Sequence, residues 1–125
     1  GPFLITFMKT IHPVPCYAMR IVEEATGKVF VFTGDSGYLE SFIPFAREAD
    51  LFLADTYLFE GNERHRAHFT SKESGELAQA AQVKKLVLTH LPQFGYLEQL
   101  RNEAQKAAGP DVIVELAAVD KVFEI

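Results

Sequence analysis

The period of the hydrophobic pattern changes partway along this chain of 125 residues, and that change restricts the fold more than any other feature. Before Gly34, three segments are typical of β-strands, because they are short, apolar and rich in branched and aromatic residues. These segments are residues 3–8, 17–22 and 28–32, and a tight turn at 24–27 joins the last two into a hairpin. The opening of the chain is therefore β-rich.

Beyond Gly34, segments with helical spacing alternate with strands of the buried type. A helical pattern runs from Leu39 to Ala46, and a capping box at Thr70 and Glu73 predicts a helix over roughly 71–82. The other predicted elements are strands at 51–54, 85–89, 112–114 and 119–123, and a helix at 96–108 that Gly109-Pro110 ends. Strands that alternate with helices give an α/β fold, and we expect residues 1–125 to form a single segment.

Composition and charge argue against several classes of partner. The formal net charge is −5, and the charges of both signs are mixed without a basic run that would follow a phosphate backbone, so charge does not support a nucleic-acid partner. Cys16 is the single cysteine, which excludes an internal disulfide. The sequence contains no signal peptide and no apolar run of membrane-spanning length, so we expect a soluble, cytoplasmic protein with no membrane partner.

Polar side chains stand just beyond the ends of apolar strands, where α/β sheets commonly build their sites. They are His12, Asp35, His90 and the pair Asp55 and His68. Taken singly, His12 is typical of a loop, Asp35 could equally cap a helix, and His68 lies in an ordinary N-cap region. His90 differs because it ends the most apolar strand, and an imidazole at a rigid strand terminus suits a metal ion. The residues alone thus favour a ligand only at His90.

Five motifs, taken together and in order, resemble the RNase Z-like branch of the metallo-β-lactamase superfamily. They are His12-Pro13-Val14-Pro15-Cys16-Tyr17 with Arg20-Ile21, Phe32-Thr33-Gly34-Asp35-Ser36-Gly37, Leu53-Ala54-Asp55-Thr56-Tyr57, His68-Phe69-Thr70 with Glu73-Ser74-Gly75, and the strand from Val83 to His90. The resemblance covers almost the whole chain. It implies an α/β fold that is the C-terminal half of an αββα metallo-β-lactamase-type sandwich, with a mixed sheet and helices on one face.

The resemblance also implies roles for the five polar residues. His12 would be a ligand of the first metal, Asp35 would bridge both metals, and His90 would complete the shell of the second. His68 would stabilise the transition state or protonate the leaving group, and Asp55 would orient His68. The cofactor would be two divalent ions, zinc or alternatively manganese, and the reaction would be the hydrolysis of a phosphodiester or a similar ester.

This sequence departs from the family pattern in ways that change the expectation. The His-x-His-x-Asp-His motif, which supplies the other metal ligands, is absent, so we expect the chain to lack its N-terminal half and to be inactive alone. Asp55 is one methylene shorter than the usual glutamate, which predicts a weaker or water-bridged contact with His68. The short turn at 24–27 stands where tRNA-processing members carry a long insertion. A relative that acts on another substrate is therefore favoured over a tRNA endonuclease.

The sheet is expected to need a partner. Strands such as 3–8 and 28–32 are apolar on both faces, and the helices of this chain can cover one face only. We expect the missing N-terminal half, or a second copy in a homodimer, to cover the other face. The alternative from another class is a non-catalytic α/β protein-interaction module, in which the polar residues only cap and solvate. Metal titration separates the two, because the module predicts no binding at His12, Asp35 or His90.

Overall fold

A mixed six-stranded sheet forms the centre of the computed structural model, which describes residues 2–125, and the strand order follows the chain order. The strands are β1 (Phe3–Lys9), β2 (Tyr17–Glu23), β3 (Val29–Phe32), β4 (Leu51–Asp55), β5 (Lys85–Thr89) and β6 (Ile113–Leu116). Strands β1 to β3 pair antiparallel, whereas β4, β5 and β6 continue from β3 in parallel. Strand β3 therefore joins a β-meander to a parallel α/β sheet.

Three helices accompany the strands: α1 (Phe42–Phe45), α2 (Ser71–Ala81) and α3 (Leu97–Ala108). The predicted capping box is present, since the hydroxyl of Thr70 accepts from the backbone N–H of Glu73 and the Glu73 carboxylate accepts from the N–H of Thr70. The first helical segment is shorter than its pattern predicts. It ends after a single turn because the chain turns at Glu48, which has φ +56°, and enters β4. No helix within residues 2–125 is long and apolar enough to cross a bilayer.

The hydrophobic core lies between the helices and one face of the sheet. Val31, Phe52 and Leu86 point to that side from neighbouring strands and are fully buried. They pack with Phe42 and Phe69, whose rings meet edge to face at 5.4 Å between centroids. The expectation that the helices cover one face of a mixed sheet is confirmed.

The opposite face of the sheet is also apolar, and we call it the open face. Strand register places Phe7, Met19, Phe32, Leu53 and Val87 in one row across five strands of this face. A second row contains Ile5, Ile21 and Phe30. Phe7 at the β1 edge is 63% exposed, Met19, Phe32 and Leu53 are partly exposed, and Val87 is fully buried. The two faces of one sheet are thus covered to different degrees.

The predicted strand at 119–123 is wrong. Residues 117–125 have no regular secondary structure, and Asp120 adopts φ +61° in a turn that takes the chain away from the direction of β6. Instead, the ring of Phe123 lies near the ammonium groups of Lys85 and Lys121, and Ile125 lines a cleft of the open face beside Phe30. Apolar residues at strand-like spacing did not form a strand because this chain gives them no neighbouring strand for their backbone groups.

Candidate metal centre

The candidate site lies at the carboxyl edge of the parallel strands. Asp35 follows β3, Asp55 is the last residue of β4, and His90 follows β5. Because parallel neighbours end at the same edge, three segments that are distant in sequence deliver polar side chains to one place. His68 reaches the same place from the loop that precedes α2.

The Asp55 carboxylate connects two imidazoles. Its Oδ2 lies 2.8 Å from Nδ1 of His68, and its Oδ1 lies 3.4 Å from Nδ1 of His90. The backbone N–H of Ser36 also donates to Oδ2, at 3.3 Å, and the backbone N–H of Asp55 donates to the hydroxyl of Thr33. The contact between Asp55 and His68 is direct. The weaker or water-bridged contact that the shorter aspartate side chain predicted is therefore not observed.

The same three side chains offer a possible set of metal ligands. One atom from each of Asp55, His68 and His90 lies within 4.8 Å of the others. Asp55 Oδ1 is buried and has no hydrogen-bond partner in the described part of the chain, which is an unusual state for a carboxylate oxygen. Imidazole nitrogens with carboxylate oxygen are ligands that suit zinc and related divalent ions. The residues present therefore fit a metal.

His12 and Asp35 lie near this cluster without joining its shortest contacts. The His12 ring centroid is 6.1 Å from that of His68. The main-chain carbonyl of Asp35 accepts from the hydroxyl of Thr10, and the Asp35 carboxylate is close enough to affect the titration of both His68 and Asp55. The structure thus gathers all five predicted residues. Asp55, His68 and His90 form the closest group, and only His90 among them belongs to the predicted ligand set of His12, Asp35 and His90.

Burial dominates the electrostatics of the site. It raises the pKa of the Asp55 carboxyl to about 7, and the charge of Asp35 acts in the same direction, while His90 and the Ser36 N–H oppose it. Burial also lowers the pKa of His68, against the attraction of Asp35. A carboxyl with a raised pKa and an imidazole with a lowered pKa are therefore in direct contact.

Tyr57 is a residue that the sequence analysis missed. Its ring centroid is 5.0 Å from that of His68 and 5.4 Å from that of His90, which themselves stack at 4.8 Å. The available signal was its position two residues beyond Asp55 at the strand end. His90 itself has a left-handed backbone at φ +53°, a conformation that concentrates at functional sites.

Close packing between two loops holds Asp35 and His68 near each other. A Cβ at Gly37 would clash with the backbone carbonyl of His65, so only glycine permits the loop after β3 to approach the 65–68 segment this closely. The ring of His65 in turn stacks on that of His68 at 5.6 Å. The Gly-Asp-Ser-Gly sequence therefore has a steric role besides the polar role predicted for Asp35.

A comparison with protein families decides the family. Residues 5–91 match the model of the β-lactamase superfamily domain. The chain belongs to the β-lactamase superfamily. The match includes all five predicted site residues, from His12 to His90.

Two curated relatives are similar to this superfamily member. YhfI of Bacillus subtilis, described as a probable metallo-hydrolase, is 45% identical over 113 residues, which cover 90% of this chain and 46% of YhfI. A ribonuclease Z of Archaeoglobus fulgidus is 37% identical over 94 residues, which cover 73% of this chain and 29% of that enzyme. The chain thus spans less than half the length of the curated relatives it matches.

Solved structures agree on the fold of this superfamily member. The crystal structure of the metallo-β-lactamase fold protein YhfI superposes with a TM-score of 0.91 at 42% identity, over 99% of this chain and 50% of YhfI. The short form of human tRNase Z superposes with a TM-score of 0.69 at 24% identity, which shows the fold alone. The predicted metallo-β-lactamase fold is confirmed over most of the chain.

The raised pKa of Asp55 predicts that the metal-free chain loses stability as the pH rises. The ordinary pKa of aspartate is 3.8 and the pKa of Asp55 in the folded chain is about 7, so between these values the folded state binds a proton that the unfolded state has released. The contribution of Asp55 to the free energy of unfolding should therefore fall across this window, by at most about 1.4 kcal/mol per pH unit. Urea unfolding in chelator at several pH values between 5 and 8 measures this slope.

Two variants test whether the pH dependence of the free energy of unfolding comes from Asp55. Asp55→Asn cannot ionise and should remove this fall, which leaves the opposite contribution from the lowered pKa of His68. Asp50→Asn is the matched control, because hydrogen bonding to Lys84 keeps the pKa of Asp50 low against the effect of burial, and its titration falls below the window. An Asp55→Asn profile with the slope of the parent chain would contradict the assignment.

Proposed function

We propose that this chain supplies one half of a dinuclear metal centre that hydrolyses a phosphodiester or a similar ester. The observation that carries the proposal is the buried Asp55 carboxylate, which engages His68 and His90 through their Nδ1 atoms. A carboxylate in that position fixes an imidazole so that Nε2 remains free for a metal or a proton. The Asp55 carboxylate would thereby orient His90 for binding a metal and His68 for donating a proton.

In this proposal the metal ligands are His12, Asp35 and His90, and Asp55 is not a ligand. The Asp55 side chain is 1% exposed and already engaged, whereas His90 is 45% exposed at the edge of the site. An ion bound at Oδ2 of Asp55 would have to displace the 2.8 Å contact with His68. An ion at Nε2 of His90 leaves the contact with Asp55 intact and places the metal on the open side, where a substrate can reach it.

The bound ions, zinc or alternatively manganese, would lower the pKa of water and stabilise the charge that develops on the ester. His68 would hold a proton on Nε2 and deliver it to the departing oxygen. Asp55 would fix the Nδ1–H tautomer of His68 through the 2.8 Å contact, and the lowered pKa of this imidazole would favour proton release. Asp55 is in this sense a positioning residue.

A small ester fits the chain better than a tRNA precursor. The net charge is −5, and the turn at residues 24–27 is short where tRNA-processing relatives are expected to carry an insertion. Placement on the RNase Z-like branch rests on the motifs, with support from the 37% identity to a ribonuclease Z. The identity to YhfI extends over more of the chain.

The centre is proposed to be completed by an N-terminal half that precedes this chain. Three ligands from three separate loops cannot hold two metals without further protein ligands. This chain covers about half the length of YhfI, which is consistent with an additional N-terminal half in the full-length protein. The isolated chain would then bind metal weakly and hydrolyse no phosphodiester.

Single substitutions in the full-length protein separate ligands from the proton donor. Asp35→Ala and His90→Ala should each lose bound metal and hydrolysis of bis(p-nitrophenyl) phosphate. His68→Ala should keep the metal and lower kcat about 10²- to 10⁴-fold, because it removes a general acid and not a ligand. Metal analysis by mass spectrometry, together with the rate, checks both effects.

An exposed residue of the same loop provides the control for that experiment. Arg66→Ala alters a side chain that has no proposed role, and it should keep both the metal and most of the rate. If His68→Ala emptied the site instead, the chelating set would be Asp55, His68 and His90, and the proposed division of roles would be wrong.

The isolated chain is expected to associate through the open face. Apolar surface left in water costs about 25 cal/mol per Å², and the open face leaves large apolar side chains exposed at its β1 edge, with Ile5 at 47% and Phe7 at 63%. Sedimentation at micromolar concentration should show a dimer or a larger assembly, and Phe7→Glu should shift it toward monomer. Val122→Glu, at a tail residue that is 82% exposed, is the control and should leave the assembly unchanged. A well-folded parent chain that sediments as a monomer would contradict the proposal.

A further inference from the structure

We propose that a cleft beside the histidines binds a flat aromatic ring carried by the ester substrate. We call it the aromatic cleft, and Tyr57, Phe59, Asn62, Pro92 and Phe94 line it. The inference rests on the proposed hydrolytic function, and it adds the class of group that the substrate must carry. The cleft lies between the loop after β4 and the turn that precedes α3.

The aromatic cleft adjoins the candidate metal centre at Tyr57. The Tyr57 ring lies 5.0 Å from His68 and 5.4 Å from His90, between ring centroids, and the same residue forms a wall of the cleft. An ester held at the two imidazoles therefore places its attached group beside Tyr57. A ring joined to the ester by one or two bonds needs no further spacer to enter.

The dimensions of the cleft limit the size of the group. Its volume is about 250 Å³, which is below the roughly 300–1,000 Å³ of pockets that bind larger organic ligands. One ring system fits, and a larger ligand would extend into solvent. The aromatic cleft therefore selects one flat group and not an extended chain.

Glycine at position 95 shapes one wall of the cleft. Gly95 has φ +80°, and a Cβ there would lie 2.8 Å from the Phe59 ring, so the 92–95 turn can press against Phe59 only because residue 95 has no side chain. This approach holds Phe94 at the mouth of the cleft, where its side chain is 75% exposed. An exposed phenylalanine beside other aromatic walls offers a face for stacking.

The chemistry of the walls favours a neutral aromatic ring. None of the lining residues carries a charge, and aromatic side chains stack in offset or edge-to-face geometry with flat partners. Stacking of a flat ring on an aromatic side chain typically changes affinity by about tenfold when the side chain is removed. Selectivity would then come from Phe94 and Tyr57, and the charge of the ester would be bound at the metal centre.

Two non-hydrolysable probes test the cleft without turnover. Benzylphosphonate and ethylphosphonate carry the same charged group and differ in the ring, and calorimetry on the metal-loaded full-length protein compares their affinities. We expect benzylphosphonate to bind about tenfold tighter. Phe94→Leu should abolish this preference and Phe94→Tyr should retain it. Tyr96→Ala, at an exposed aromatic residue outside the lining, is the matched control and should also retain it.

The outcomes separate this inference from the function on which it rests. Equal affinities for the two probes would overturn the proposal that the aromatic cleft binds a ring, and so would a preference that survives Phe94→Leu. Equal affinities are also the result expected if another part of the protein fills the cleft. Absence of metal-dependent hydrolysis of bis(p-nitrophenyl) phosphate by the same protein would overturn the proposed function, whatever the probes show.

Discussion

The buried carboxylate of Asp55 is the group on which the arrangement of the site depends. Burying a carboxyl is unfavourable unless it is neutral or paired, and here two imidazoles and a backbone N–H surround it. The rigid end of β4 fixes its position, and the ends of the flanking parallel strands bring Asp35 and His90 beside it. The candidate metal centre thus follows from sheet topology together with one buried acid.

The sequence predicted helices and strands well where the pattern depends only on residues close together in the chain. The capping box at Thr70 fixed the start of α2, and apolar runs located β4 and β5. The tail at 119–123 failed because a strand depends on a neighbour that no local pattern supplies. The site residues were named by resemblance to a family, and the ends of parallel strands explain why they meet. The double contact of Asp55 and the place of Tyr57 could not be predicted, since both depend on distances between loops far apart in sequence.

The open face and the short ligand set have one explanation in this account. In our proposal, an N-terminal half would both cover the face of the sheet that the helices leave open and supply the metal ligands that His12, Asp35 and His90 do not. The chain spans about half of YhfI, which fits the same explanation. The tail residues Phe123 and Ile125 cover part of the open face in this chain, and the row from Phe7 to Leu53 remains at least partly exposed.

The central claim is that Asp55 supports the metal ligands without being one of them. Anomalous diffraction at the zinc edge, from crystals of the full-length protein grown with zinc, tests this most directly. The account predicts a metal about 2.0–2.1 Å from Nε2 of His90, with Nδ1 of His90 still directed at Asp55 and with Asp35 between two metal peaks. A metal bound directly by the Asp55 carboxylate and by Nδ1 of His68 would contradict it.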